Sequence, residues 1–311
     1  MNKNSNILIA GSTGLVGSTV THKLRSLGYT NLITPSYQEV DLINKNSVQK
    51  LFRQNDIDYV FLLAAKVGGI GANSTYPGEF IYINLMIQTN ILHAAMQHGV
   101  EKLLFPGSSC IYPRQCQQPI KEEYLLSGPL EKTNEPYAIA KIAGLTMCEA
   151  YHRQYGCNFI SVMPTNLYGP GDSFDLKNGH VLPVMIRKFH EALPDKTVTL
   201  WGTGSPRREF LYISDLADAC ILLMKKYDSP KLINIGSGDD LTIRNLALMI
   251  QRVIGHNGPI VWDSSKPDGT PRKLLDVTKI KSLGWEPKVG LAEGIQLSYN
   301  WFLEHRRCGA L

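Results

Sequence analysis

A doubly wound α/β fold on a parallel sheet is what this sequence predicts, and three observations predict it. Short apolar runs alternate with helical patterns through the first half of the chain. Several of these runs, such as YVFLLAA at 59–65, are apolar at every position, as strands buried on both faces are. The first run leads into a spaced glycine triplet, Gly11, Gly14 and Gly17, and then into a helical pattern.

Taken in order, the apolar runs place strands at 6–10, 31–34, 59–65, 102–106 and 159–164. Helical periodicity between them places helices at 17–27, 47–54, 84–98 and 137–155. After residue 166 the texture changes, and Gly and Pro crowd into YGPGD, WGTGSP and SKPDGTPRK. The expected organisation is a dinucleotide-binding domain over 1–170 and a smaller α/β lobe, mainly substrate-binding, over 171–311. A strand near 232–235 is expected to return to the main sheet. There is no internal repeat.

Composition excludes several classes. A chain of 311 residues that is 43% hydrophobic and 19% charged is an ordinary globular protein with a full core. Its net charge of +5 comes from Lys and Arg spread along the chain, without the cluster a nucleic-acid binder carries. The cysteines (Cys110, Cys116, Cys148, Cys157, Cys220 and Cys308) show no C-x-x-C pair, which argues against a zinc site and a disulfide framework. No metal is expected. With no leader pattern and no long apolar run, the default compartment is the cytoplasm, away from membranes.

The glycine loop has a physical logic. Its first glycine permits a tight turn, the second lets backbone approach a pyrophosphate, and the third lets the helix pack close to the strand. Phosphates then sit at the helix N-terminus, where unpaired N–H groups and the dipole favour negative charge. The loop opens the chain, follows a strand and begins a helix, so it reads as a dinucleotide site. After the second strand, NLITPSY (31–37) carries neither the acid that holds the ribose of NAD nor an Arg for a 2′-phosphate.

A second constellation carries chemistry. Tyr137 and Lys141 lie one helical turn apart on the same face. An isolated Y-x-x-x-K is usually a surface pair, but here LLFPGSSCIYP also puts Ser108 just past a buried strand, where doubly wound sheets bind ligands. Reduction of a ketone needs a proton at the carbonyl oxygen as hydride arrives. Tyr137 is the expected donor, with its phenol lowered by Lys141 and a bound pyridinium.

Glycine loop, serine after the fourth strand and Tyr-x-x-x-Lys together resemble the extended short-chain dehydrogenases. More narrowly, AAKVGGI, NSTYPGEFIY, KLLFPGSSCIYP, NEPYAIAKIAG, SVMPTNLYGP, HVLPVMIRKFHEA, WGTGSPRREFL and SKPDGTPRKLLD resemble the GDP-L-fucose synthase family across nearly the whole chain. The resemblance implies epimerisation at C3 and C5 of a GDP-4-keto-6-deoxymannose, followed by reduction at C4 with NADPH. It implies a catalytic set of Ser108, Cys110, Tyr137, Lys141 and His180, with Cys110 and His180 as base and acid for the epimerisation. For the cofactor, NADP, it implies Gly11, Ser12, Thr13, Gly14, Leu15, Val16 and Gly17 together with Asp41, Leu42, Ala64, Ala65 and Lys66. Lys141, Pro164, Thr165, Asn166, Leu167 and His180 complete that set. For the substrate it implies Ser109, Asn166, Lys188, Trp201, Arg208 and Asp268.

Three positions depart from the family pattern. Thr13 and Tyr37 stand where the family has Arg, which removes charge that would meet a 2′-phosphate and leaves NAD admissible. Lys188 stands for an Arg, keeping the charge but not the bidentate fork. Two alternatives stay open: a GDP-colitose synthase acting on a 3-deoxy keto-sugar, and a non-catalytic dinucleotide sensor on the same fold. A UDP-sugar 4-epimerase would have no use for Cys110 and His180. A homodimer formed through the long helices at 84–98 and 137–155 is expected.

Overall fold

The computed structural model describes residues 1–307; Cys308 lies outside the described residues. The first half runs β1 (Ile7–Ala10), α1 (Leu15–Ser26), β2 (Leu32–Ile33), α2 (Lys45–Gln54), β3 (Tyr59–Leu62) and α3 (Ile70–Thr75). It continues through α4 (Pro77–Gln97), β4 (Lys102–Pro106), α5 (Glu135–Tyr155) and β5 (Phe159–Pro164). The second half runs β6 (Asn166–Tyr168), α6 (Val181–Glu191), β7 (Val198–Trp201), β8 (Arg207–Tyr212), α7 (Ile213–Lys226) and β9 (Ile233–Ile235). Then follow β10 (Asp240–Thr242), α8 (Ile243–Ile254), β11 (Ile260–Asp263), β12 (Arg272–Lys273), α9 (Thr278–Ser282) and α10 (Leu291–Arg307).

Six strands form the main sheet in the order β2-β1-β3-β4-β5-β9, all parallel. β1, β3 and β5 are buried at every position, which explains the unbroken apolar runs of β1 and β3 and the run of β5, broken only by the buried Ser161. Strand order reverses between β1 and β3, and at such a switch point the carboxyl ends of the strands open a crevice. A smaller mixed sheet is centred on β8, flanked by β10 and β12 and paired with β6. β7 and β11 form a separate parallel pair.

Two apolar clusters underlie this. One packs the main sheet against its helices and takes in Leu216, Ala217, Cys220 and Leu223 of α7 and Ile233 and Ile235 of β9. The other joins α6, α8 and α10 around Phe174, Phe189, Leu246, Ile250 and Phe302. The strand expected near 232–235 therefore does return to the main sheet. All four helices expected in the first half start earlier than their periodicity suggests, α4 by the most: it opens at Pro77, because proline is preorganised for the first helical turn and has no N–H to waste there. The short α3 gave no sequence signal at all.

The glycine loop is set by close approach. Gly11 has φ 89°, and a Cβ on it would lie 2.6 Å from the backbone N of Ala64. A Cβ on Gly17 would fall 2.0 Å from the carbonyl O of Gly11. α1 thus lies against the turn that starts it, and no flexible side chain can yield. Gly17→Ala is expected to cost about 1–3 kcal/mol by overpacking, read as a fall in the thermal midpoint, and to weaken dinucleotide binding in a titration.

Candidate active site

The glycine loop and the segment after β3 meet at the switch point between β1 and β3. Gly14 caps α1 without any side-chain hydrogen bond, and the first turn has no acid. Its amides at Leu15, Val16 and Gly17 therefore suit an anion, with Ser12 and Thr13 on the rim. Ala64 and Ala65 follow β3 directly against Gly11. Lys66 is held by exchange with Asn84, its N–H donating to Oδ1 at 3.0 Å and its carbonyl accepting from Nδ2 at 3.0 Å. Asp41 accepts from the Ile43 N–H at 2.9 Å, and the Leu42 carbonyl accepts from Asn90 Nδ2 at 3.0 Å. Pro164, Thr165, Asn166 and Leu167 continue from the end of β5 into β6. This arrangement fits a dinucleotide.

Beyond β2 the chain makes a tight turn between Ser36 and Val40, in which the Glu39 carboxylate accepts from the Ser36 N–H at 2.7 Å and Oγ at 2.8 Å. Those bonds hold its carboxyl below the usual range. Tyr37, inside the same turn, is 70% exposed.

Beyond β4, Ser108 caps a short 3-10 turn (Ser109–Ile111), its Oγ accepting from the Cys110 N–H at 3.3 Å. The turn buries Ser109 at 3% exposure and leaves Ser108 and Cys110 half-covered. On α5, Tyr137 meets the ring of Phe80 edge-on at 6.2 Å. One turn further, Lys141 is buried, donates to the Pro106 carbonyl at 2.9 Å and lies 4.7 Å from the Phe105 ring centroid.

Burial acts on all three titratable groups, but neighbours decide the result. It pushes the Tyr137 phenol up, as does the charge of Cys110, against a hydrogen bond with Ser108. The expected lowering by Lys141 is not found, since its ammonium is turned onto the Pro106 carbonyl. Desolvation takes Lys141 down from 10.5 to about 8. Cys110 resists the upward push of burial because Lys273 lies 3.6 Å from its Sγ, with Ser108 and Arg208 adding to the effect, so its thiol moves down. Cys116, Cys148, Cys157 and Cys220 all move up through burial. Lys273, distant in sequence, had no readable signal.

The substrate-side residues come from β7, β8 and α6. Arg207 and Arg208 point to opposite faces, as successive strand residues must. Arg207 pairs with Asp240 at 2.7 Å, which also takes Arg272 at 2.6 Å. Arg208 turns inward and donates to the carbonyl of Asp268 at 3.3 Å. The Asp268 carboxylate accepts from the Thr203 N–H and Oγ1, both at 2.8 Å, and so braces the loop after Trp201. Trp201 presents a half-exposed ring. Lys188 donates to the Thr199 carbonyl at 2.8 Å, and burial pulls its ammonium down. The Asn166 amide is committed to the Glu209 carbonyl at 2.6 Å. His180 caps α6 with its side chain 46% exposed. Its loop reaches Tyr137 indirectly: the Asn178 carbonyl receives the Gly69 N–H at 2.9 Å, and Gly68 backs the Phe80 ring.

Among the described residues no cluster of His, Cys, Asp and Glu could hold a metal ion, and no helix is long and apolar enough to cross a membrane.

Two outcomes test these charges. Lys273→Met should slow iodoacetamide alkylation of Cys110 near neutral pH, about tenfold for each unit its thiol rises. A rate–pH profile reads this directly. For Lys141 the folded group titrates near 8 and the unfolded near 10.5, so between these values the unfolded chain binds the extra proton. Stability should therefore rise with pH across that window, by roughly 3 kcal/mol. Urea denaturation at stepped pH should show this rise in wild type and not in Lys141→Met.

Known proteins match this geometry and sequence. The model of the NAD dependent epimerase/dehydratase family matches residues 7–236. The chain is 53% identical to GDP-L-fucose synthase 1 of Arabidopsis thaliana, over 97% of this chain and 94% of that protein. It is 51% identical to GDP-L-fucose synthase of Escherichia coli (strain K12), over 96% of this chain and 97% of that one. A GDP-L-fucose synthetase from Naegleria fowleri, solved bound to NADP, is 28% identical with a TM-score of 0.91, covering 100% of this chain and 98% of that chain. With its glycine loop at the switch point and Ser108, Tyr137 and Lys141 at the strand ends, the chain belongs to the NAD dependent epimerase/dehydratase family, as an extended short-chain dehydrogenase.

Proposed function

We propose that this enzyme is a GDP-L-fucose synthase, converting GDP-4-keto-6-deoxymannose to GDP-fucose by epimerisation at C3 and C5 and reduction at C4. The observation that carries this reading is identity above one half to GDP-L-fucose synthases over nearly the full length of both chains. The lowered thiol of Cys110, two residues from Ser108, gives it a chemical basis. The reading divides the chain near residue 170, with α7 and β9 returning to the dinucleotide-binding part.

The chemistry follows from the side chains. Protons on carbons next to a ketone are acidic, so Cys110 as thiolate takes one from C3 or C5. His180 returns a proton on the opposite face. Ser108 and Tyr137 hydrogen-bond the C4 oxygen and stabilise the negative charge that develops there. Because burial keeps Tyr137 protonated, its hydroxyl is ready to give that oxygen a proton during reduction. The glycine loop, the Ala64–Lys66 segment and Lys141 would hold the dinucleotide, which would supply the hydride when bound. Lys188 and Arg208 bring positive charge to the diphosphate, and Trp201 offers a face for the nucleotide.

NADPH is the proposed reductant, supported by the NADP-bound relative. Thr13 and Tyr37 add no cation for its 2′-phosphate, so selectivity over NADH should be modest. Two copies are proposed to pair through α4 and α5, where Tyr82 and Ile139 stand exposed. Sedimentation at micromolar concentration should give a dimer mass.

The decisive test follows GDP-4-keto-6-deoxymannose by NMR in deuterium oxide. Deuterium should enter C3 and C5 without reductant, and GDP-fucose should form once NADPH or NADH is added. Cys110→Ser should slow the exchange about 10²–10⁴-fold. Absence of exchange and reduction, with turnover of the 3-deoxy analogue, would instead assign the enzyme to GDP-colitose formation.

A further inference from the structure

Asp172 is a buried carboxylate that the chemistry above leaves unused. Its side chain is 6% exposed. One oxygen, Oδ1, accepts from the Ser173 N–H at 2.8 Å, while Oδ2 is buried with no hydrogen-bond partner among the described residues. A buried carboxylate oxygen without a donor is costly, and such groups are uncommon in folded chains. The basic side chain that approaches it is His180, whose Nδ1 stands 3.9 Å from Oδ1.

Both partners are held on firm supports. The Asp172 N–H donates to the Gly169 carbonyl at 3.2 Å. Two residues on, Phe174 packs between Trp301 and Phe302 of α10, with ring centroids 6.0 and 4.8 Å away. Its carbonyl accepts from Arg187 on α6 at 3.2 Å. His180 is the N-terminal cap residue of that same helix. The carboxylate is therefore anchored to the element that carries the imidazole, and a modest side-chain rotation, closing about 1 Å, makes a charge-assisted bond.

We propose that Asp172 is the positioning residue for His180, accepting its Nδ1–H so that Nε2 faces the substrate. This inference rests on the reading of His180 as the acid of epimerisation. An imidazole with Nδ1 tied to a carboxylate has a fixed ring orientation and a fixed neutral tautomer. As the acid, the imidazolium gives up the proton on Nε2. After the proton leaves Nε2, the remaining Nδ1–H stays on Asp172, and the next proton is taken up at Nε2 from solvent.

The test uses Asp172→Asn, His180→Asn and the double variant, all in the full chain. Deuterium exchange at C3 and C5 is measured without reductant, and products are analysed with NADPH. Asp172→Asn should slow exchange roughly 10–100-fold while hydride transfer persists, shifting products toward C4-reduced sugar with uninverted centres. In the double variant exchange should be no slower than in His180→Asn. Additive losses, or hydride transfer falling in step with exchange, would mark Asp172 as a brace of its loop and overturn the proposal. If His180→Asn slows exchange but Asp172→Asn does not, the proposal falls and the reading of His180 stands. If His180→Asn exchanges at the wild-type rate, both fall. Should Asp172→Asn fold poorly, ¹⁵N-histidine spectra of the wild type, assigned through His180→Asn, decide the matter. A neutral His180 protonated at Nδ1 supports the proposal, and one protonated at Nε2 refutes it.

Discussion

One buried carboxylate ties the two halves of the site together. Glu209, fully buried in β8, accepts from the Gly238 N–H at 2.7 Å and the Leu275 N–H at 3.0 Å. Its own backbone carbonyl receives Thr165 at 3.2 Å and Asn166 at 2.6 Å. Four segments from distant parts of the chain therefore converge on one residue: the end of β5, the strand β8, the turn after β9 and the stretch after β12. Burial pushes its carboxyl up, and the backbone donors oppose that. The position of Lys273 against Cys110 and of Arg208 beside both follows from this knot. Satisfied networks of this kind rigidify a core, and a missing member leaves a polar group stranded.

The site also shows how little burial alone decides. Tyr137, Lys141 and Cys110 all lose water, yet their neighbours set how tightly each holds its proton. The phenol keeps its proton. The ammonium, turned toward a carbonyl, holds its proton loosely. The thiol, with a cation against its sulfur, gives its proton up more readily than the other described cysteines. Groups whose surroundings push them apart in this way are the mark of acid–base chemistry.

Much of this was legible in the sequence. The strands at 102–106 and 159–164 were placed residue for residue, because strands buried on both faces leave runs that are mostly apolar. The glycine triplet and the Tyr137–Lys141 spacing were local patterns with local causes. What stayed hidden was long-range. Lys273 reaches Cys110 across 163 positions, and Asp172 is unremarkable until its burial is known. The Glu39 carboxylate meets Ser36 only because a turn folds it back. The inward turn of Lys141 was illegible too, since spacing reports which face a residue takes but not which acceptor it finds.

Ser108 and Cys110 share a single short turn, with no hinge between them, whereas His180 and Lys188 ride together on α6. This gives the site two walls with different supports. On the first, hydroxyl and thiol are coupled by two covalent steps, so a backbone shift that re-aims one re-aims the other. The second wall belongs to a separate helix, whose inner face is packed with α8 and α10. The ketone-facing pair is thus aimed by one short turn, while the pair on α6 is aimed by the packing of a different core.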